Sequence, residues 1–495
     1  MISESSFTTS ITRHLAPGTR HPEPGTRNPE PGTRHQGKTT MQEITQYLES
    51  NRDRYLDELF EFLRIPSVST DPDHKDDVVR AAEFVADQLR SAGIDKVEVA
   101  PTDGHPVVYG EKIQDPSKPT VLIYGHYDVQ PVDPIELWES GPFEPTIRDG
   151  HLYARGSADD KGQVLIHFKS AEAYHKLGKP LPVNLKFLIE GEEEIGSPHL
   201  EGFIRSRQAD LKADTVVISD TAMFARGVPS ICYGLRGLAY FQIDVQGPCG
   251  DLHSGSFGGP VGNPAFELAR ILAALKDDQG RITIPGFYDD VRALTEQEKQ
   301  EFASLPFDPE GFKKEVGVKA LNGEQGYTPL EQLWARPTLE VNGLLSGFTG
   351  EGAKTVLPAK AMAKVSTRLV PEQDYLKIGR QFADHLRSLA PDWVEIEVTP
   401  LHGGKPWVAN LDHPALKAAS RAVERGFGKR PVFQREGGSI PIVATFDELL
   451  GVPTVLMGIG LPDENAHAPN ERLLLEHFYA GIHSAAYFLE EFSGA

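Results

Sequence analysis

Cysteine is almost absent from this sequence. Two residues in 495, Cys232 and Cys249, leave no disulfide framework and no Cys-rich zinc module. Long apolar runs are missing too: none approaches the ~20 residues that span a bilayer, so a soluble chain without a membrane partner is expected. Positive charge is scarce, with 50 Lys and Arg against 71 Asp and Glu for a formal net charge of −21. That balance argues against nucleic acid or an anionic membrane as partner. A signal peptide needs an apolar core that the first residues do not offer, and a cytoplasmic location is expected. Hydrophobic residues, at 39%, are still enough for sizeable cores, and 495 residues exceed what one core serves.

Residues 1–40 break from the rest. They carry five Lys or Arg and three acids, so the remainder holds a charge near −23. Within them Pro17-Gly-Thr-Arg-His-Pro-Glu23 recurs as Pro24-Gly-Thr-Arg-Asn-Pro-Glu30 and begins again at Pro31. Proline at this density defeats helix and paired strand alike, so a disordered extension over 1–40 is expected. The near-perfect heptads resemble a translated nucleotide repeat, with Met41 as the natural start.

From Met41 the pattern turns helical, with Ile44, Leu48, Tyr55, Leu59 and Phe62 on one face. Val78, Ala82, Val85 and Leu89 mark a second helix. Short apolar runs then alternate with helical segments: Val121 to Tyr124, Leu185 to Ile189, Val216 to Ser219 and Val455 to Met457. Continuous apolar strands between helices predict an α/β domain, a mostly parallel sheet with helices on both faces. Near Ser230 the texture changes. Ala239, Phe241, Ile243 and Val245 alternate with polar neighbours, as do Val394, Ile396 and Val398, which predicts half-exposed antiparallel strands. Asn263-Pro264 is an N-cap and N1 pair for a helix carrying Leu268, Ile271 and Leu275. The organisation expected is an α/β domain over 41–230 and 403–495, interrupted by an α+β domain over 231–402. Residues 276–340, rich in charge and proline, yield no clear element.

The chemistry-bearing residues cluster just after the apolar runs. Gly125-His126-Tyr127-Asp128 follows the first, Glu190 to Glu194 the second, Asp220 the third, and Asp463 to His467 the last. Gly156 to Gly162, containing Asp159, opens a helix. Ligands of an open α/β sheet gather beyond the carboxyl ends of its strands. His and carboxylates without thiolate suit zinc, manganese or cobalt, and several carboxylates suit two ions sharing one of them. Residues i and i+2 of a strand point the same way, so Asp128 is placed to hold the imidazole of His126. Taken singly, His126 reads as a hydrogen-bonded loop histidine, Asp220 as a helix N-cap and Arg368 as half of a surface ion pair.

Together the motifs resemble the M20 metallopeptidases, over about residues 45–490. Within that family they are most similar to the dipeptidase branch of cytosolic nonspecific dipeptidase and carnosinase. The segments that carry the resemblance are Gly125-His-Tyr-Asp-Val-Gln-Pro131, Arg155-Gly-Ser-Ala-Asp-Asp-Lys-Gly162 and Glu193-Glu-Ile-Gly-Ser197. To these add Asp251-Leu-His-Ser-Gly255, Gly352-Ala-Lys-Thr-Val-Leu-Pro358, Ser366-Thr-Arg-Leu-Val-Pro371 and Arg435-Glu-Gly-Gly-Ser-Ile-Pro441.

The resemblance implies two divalent metal ions per subunit, zinc first, with manganese or cobalt also compatible. His126 and Asp220 would bind one, Glu194 and His467 the other, with Asp159 bridging. Glu193 would be the general base for a metal-bridging water, and Asp128 would be a further catalytic residue. His253 would reach across a homodimer to the partner's oxyanion, and Thr355, Arg368 and Ser439 would hold the substrate carboxylate. The inserted domain becomes a lid and dimerisation domain. The function implied is a metal-dependent dipeptidase cleaving the amide bond of dipeptides or short peptides. Removal of an N-acyl group from an amino acid needs the same metals and clamp, and stands as the alternative.

Overall fold

The computed structural model describes residues 31–438 and 440–494, with side chains from Thr40 onward. The apolar runs become the middle of a nine-stranded sheet. Asn184–Glu190, Thr120–His126, Thr215–Ile218 and Thr454–Leu456 lie side by side and parallel, in the register that pairs Tyr124 with both Leu188 and Ile218. Lys96–Ala100 and Val107–Lys112 add antiparallel strands at one edge.

Both faces of the central strands are covered, which is why their residues are apolar without alternation. On one face Tyr124 meets Phe446 of the helix Pro441–Leu450, ring edge to ring face at 5.3 Å. On the other, Phe187 packs edge-on against Phe168 of the helix Lys161–Lys176 at 5.9 Å. That helix is buried along nearly its whole length, with the helix Leu475–Ser493 packed against it.

A second sheet is antiparallel throughout, in the order Thr338–Ser346, Lys360–Leu369, Gly237–Gln246 and Glu395–Gly404. Its period-2 pattern is realised residue by residue. Ala239, Phe241, Ile243 and Val245 are buried against Leu268, Ile271, Ile378 and Phe382 of two covering helices, while the residues between them are half-exposed. Asn263 caps the first of these helices through the Ala265 N–H, with Pro264 at N1.

Three expectations need correction. The strand Ser230–Leu235, allotted by sequence to the inserted segment from 231, belongs to the first sheet and pairs in parallel with Val432–Glu436. Trp407–Val408 returns to it, so the second sheet occupies 237–404. The helix expected from Met41 begins at Pro31, inside the supposed disordered extension. The earlier heptads lie outside the described residues. Residues 276–340 hold three short helices, Glu296–Ser304, Pro309–Glu315 and Pro329–Trp334. Thr295 with Glu298, and Thr328 with Glu331, form capping boxes that were readable in the sequence. Among the described residues no helix is long and apolar enough to cross a membrane.

Candidate metal centre

The carboxyl ends of the central strands deliver their side chains to one place. His126 ends its strand fully buried, level with Glu190 of the neighbouring strand. Its Nδ1 lies 3.1 Å from the Asp128 carbonyl oxygen, which leaves Nε2 facing Asp159 Oδ1 at 3.1 Å and Asp220 Oδ2 at 4.0 Å. On the far side of Asp159, His467 Nε2 lies 2.8 Å from Oδ2 and 3.2 Å from Glu194 Oε2. Two groups result, His126–Asp159–Asp220 and Asp159–Glu194–His467, each offering three ligand atoms within 4.8 Å of one another. Asp159 belongs to both.

Buried acids hold these segments in position. Both carboxylate oxygens of Asp128 are used on the Glu loop: Oδ1 accepts the Glu193 N–H at 3.2 Å and Oδ2 the Glu194 N–H at 3.1 Å. Asp128 also faces the His126 ring, its carbonyl oxygen at 3.1 Å from Nδ1 and its Oδ1 at 3.4 Å. Gln130 donates to the Glu194 carbonyl and carboxylate at 3.2 and 2.8 Å. Glu471, fully buried, accepts from the Gly156, Ala158 and Asp159 N–H groups and from Arg155. Glu464 accepts from the Leu461 and Leu474 N–H groups and shapes the loop that carries His467. Sequence reasoning missed Glu471: Asn470-Glu471-Arg472 has the composition of a solvated turn. It also quoted Gln130 without giving it a task.

So many carboxylates in so little water is costly unless a cation joins them. Burial, then Asp159 and Asp160, hold Asp220 well above the ordinary carboxylate range. Burial together with Asp159, Glu194 and Asp128 pushes Glu193 up to about 7, against the opposing pull of His126. Burial alone would raise Asp159, but its bonds to His126 and His467 outweigh that and hold it below its usual value. Its bonds to the Asp159 and Glu194 carboxylates push His467 up to about 10. Two imidazoles and three carboxylates without a thiolate form a donor set that fits borderline and hard divalent ions. The side chain of Glu194 is 2% exposed and that of His467 55%, so the centre has one closed wall and one side open to an incoming molecule.

The remaining candidates lie elsewhere. His253 and Thr355 are neighbours, since Leu252–His253 pairs with Val356–Leu357 and the Ser254 N–H donates to the Thr355 carbonyl. Both are exposed. His253 Nδ1 accepts the Gly255 and Ser256 N–H groups, which leaves the ring proton on Nε2. Arg368, half-buried on the second sheet, pairs across to Leu238 and Thr338. Burial lowers its pKa, as it lowers that of Arg236, which Arg368 helps depress to about 10. Ser439 lies outside the described residues.

Known proteins of the same design exist. Residues 122–491 match the pattern of peptidase family M20/M25/M40. The chain is 36% identical to the Cys-Gly metallodipeptidase dug1 of Schizosaccharomyces pombe, over 90% of this chain and 97% of that protein. It is 34% identical to the Beta-Ala-His dipeptidase of Homo sapiens, over 91% of this chain and 92% of that one. The solved structure of the dipeptidase Dug1p from Saccharomyces cerevisiae superimposes with a TM-score of 0.79 at 33% identity, covering 92% of this chain and 99% of its own. A shared mixed α/β fold, matched family motifs and two ligand groups joined at one aspartate agree: the chain is an enzyme of peptidase family M20/M25/M40, with a site built for divalent metal.

Proposed function

We propose that the two groups meeting at Asp159 hold two divalent ions, zinc first among them, and that Glu193 is the proton carrier beside them. The enzyme is a metal-dependent hydrolase of dipeptides. The observation that carries the two-ion reading is the placement of Asp159, whose two oxygens face His126 and His467 separately. His126 and Asp220 would serve one ion, Glu194 and His467 the other. Such ions, when bound, polarise a scissile carbonyl and lower the pKa of a coordinated water.

The protein's own part is proton traffic and orientation. Glu193, raised toward neutrality by burial and its acidic neighbours, is positioned to accept a proton from the attacking water and deliver it to the departing amine. Asp128 fixes the backbone of Glu193 and Glu194 and so aims both side chains. Arg368 would hold the substrate carboxylate as a guanidinium fork, with Thr355 and Ser439 assisting. His253, with its proton on Nε2, presents a donor suited to a developing oxyanion.

In this reading the segment bearing the second sheet is a lid and the site of homodimer contact. Val341, Leu344 and Leu345 on its outermost strand and Phe348 just beyond are exposed apolar side chains on an unpaired edge, which a second copy would cover. Free Cys232 and Cys249 suit a cytoplasmic setting.

Elemental analysis of the purified protein combined with Ala-Ala hydrolysis tests the centre. Two equivalents of metal per chain, with turnover lost on chelation and regained on adding zinc, manganese or cobalt, is the expected result. One equivalent at full activity would refute the shared role of Asp159.

A further inference from the structure

His467 stands where a chain does not readily hold a side chain. The ring is 55% exposed, so packing fixes it only in part. Its backbone is left-handed, with φ 62°, as are Asn465 at 56° and Asn470 at 62°. That conformation costs free energy, less for asparagine than for most residues, and persists where surrounding bonds offset it. Two ties supply those bonds. Before His467, Glu464 accepts the Leu461 and Leu474 N–H groups. After it, the Asn470 side chain closes a two-bond clasp on another loop. Its Nδ2 donates to the Leu137 carbonyl at 2.8 Å, and its Oδ1 accepts the Glu139 N–H at 2.8 Å.

The loop that Asn470 grips starts at the other end of the same ligand group. Gln130 donates to the Glu194 carbonyl and carboxylate at 3.2 and 2.8 Å. One short stretch, residues 130–139, is thus attached at its start to Glu194 and at its end to the loop of His467. Residues 133–137 between the attachments are all exposed, Ile135 and Leu137 included, so apolar burial does not hold them. Hydrogen bonds brace the stretch instead. Trp138 Nε1 donates to the Val132 carbonyl at 2.8 Å, folding it on itself. Arg155, buried and paired with Glu471, donates to the Pro131 carbonyl at 2.9 Å. A stretch stiffened in this way transmits the position of one end to the other.

We propose that residues 130–139 form a bracket that sets the separation of Glu194 and His467, with Gln130 and Asn470 as the positioning residues at its two ends. Their effect falls on one ion of the pair. The ligands particular to the other, His126 and Asp220, come instead from the ends of the sheet strands Thr120–His126 and Thr215–Ile218. This assignment rests on the reading that Glu194 and His467 serve one ion and His126 and Asp220 the other.

Withdrawal of zinc from the holoenzyme by rising concentrations of a chelator reads the two ions separately. Asn470→Gly keeps the left-handed backbone and loses both bonds of the clasp. It should loosen one ion roughly 10- to 100-fold and leave the other at wild-type affinity. Gln130→Ala should loosen the same ion. In a His467→Ala background, where the ligand itself is gone, Asn470→Gly should change zinc retention no further. A merely structural Asn470 would lower retention again in that background. Equal loosening of both ions, no loosening, or a further loss in the double variant overturns the proposal. A single ion in the wild-type holoenzyme would instead overturn the two-ion reading, and the double variant would still decide whether Asn470 acts through His467.

Discussion

Around Asp159 the loops that carry Asp159, Glu194 and His467 are tied down by hydrogen bonds to buried carboxylates, whereas His253 and Thr355 stand exposed at a two-residue strand pair. Glu471 fastens the loop of Asp159, Asp128 that of Glu193 and Glu194, and Glu464 that of His467. His253 is fastened only locally, by the N–H groups of the turn that follows it. The first region is a finished site within one chain. The second has its donors set but little around them, as suits groups that complete their work against something brought to them. Precise placement of a metal needs a rigid shell of supporting bonds, while a substrate clamp must open and close.

Variants on either side of this contrast should behave differently. The largest loss is expected from Glu193→Gln, which should lower kcat by roughly 10³-fold or more while metal content by elemental analysis stays at the wild-type level. Normal turnover would remove Glu193 from the chemistry. Next comes Glu471→Ala, which breaks a fully buried pair with Arg155 and orphans three backbone N–H groups. A loss of about 3 kcal/mol in urea unfolding is expected, with metal occupancy falling alongside. If stability falls and metal is retained, the shell is less rigid than its bonds imply.

His253→Ala should leave stability and metal untouched and lower kcat about 10²-fold. Mixed with inactive Glu193→Gln protein under conditions of subunit exchange, it should regain up to about a quarter of wild-type activity, because each mixed dimer holds one complete site. Absence of recovery, with exchange demonstrated, would confine His253 to its own subunit.

The smallest effect concerns the chelated protein. Glu193 and Asp220 have folded-state values above those of an unfolded carboxylate, so the folded form binds more protons than the unfolded form. Their contribution is present at low pH and is lost as pH rises through the folded value, which for Glu193 is about 7. Stability of the metal-free protein should therefore decline between about pH 4 and 7, by an amount on the order of 1 kcal/mol, and metal should abolish the slope. A flat profile without metal would mean that the carboxylates are compensated by the protein alone.

Much of the closed region was legible because its logic is local. Apolar runs such as Val121 to Tyr124 announce buried strands, and the residues just after such a run sit at the sheet's carboxyl edge, which sets His126 and Asp220 on the same edge. The alternation of Ala239, Phe241 and Ile243 announced a one-faced sheet in the same way. Glu471 was illegible because its burial depends on loops more than 300 residues away in sequence, which no window of composition contains. Ser230–Leu235 was misallotted because a parallel partner at Val432–Glu436 cannot be inferred from the strand itself. The helix from Pro31 was hidden by the prolines before it, and the short helices of 296–334 by their charge, although their capping boxes were there to be read.

The distance along the chain between Asp159 and His467 has a consequence for synthesis. The segments carrying His126, Asp159, Glu194 and Asp220 leave the ribosome long before the loop carrying His467 and its anchor Glu464. A nascent chain can thus fold most of its sheet while one face of the centre is still missing. With the roles proposed above, capacity to hydrolyse peptides arrives late, after most of the scaffold around it has been made.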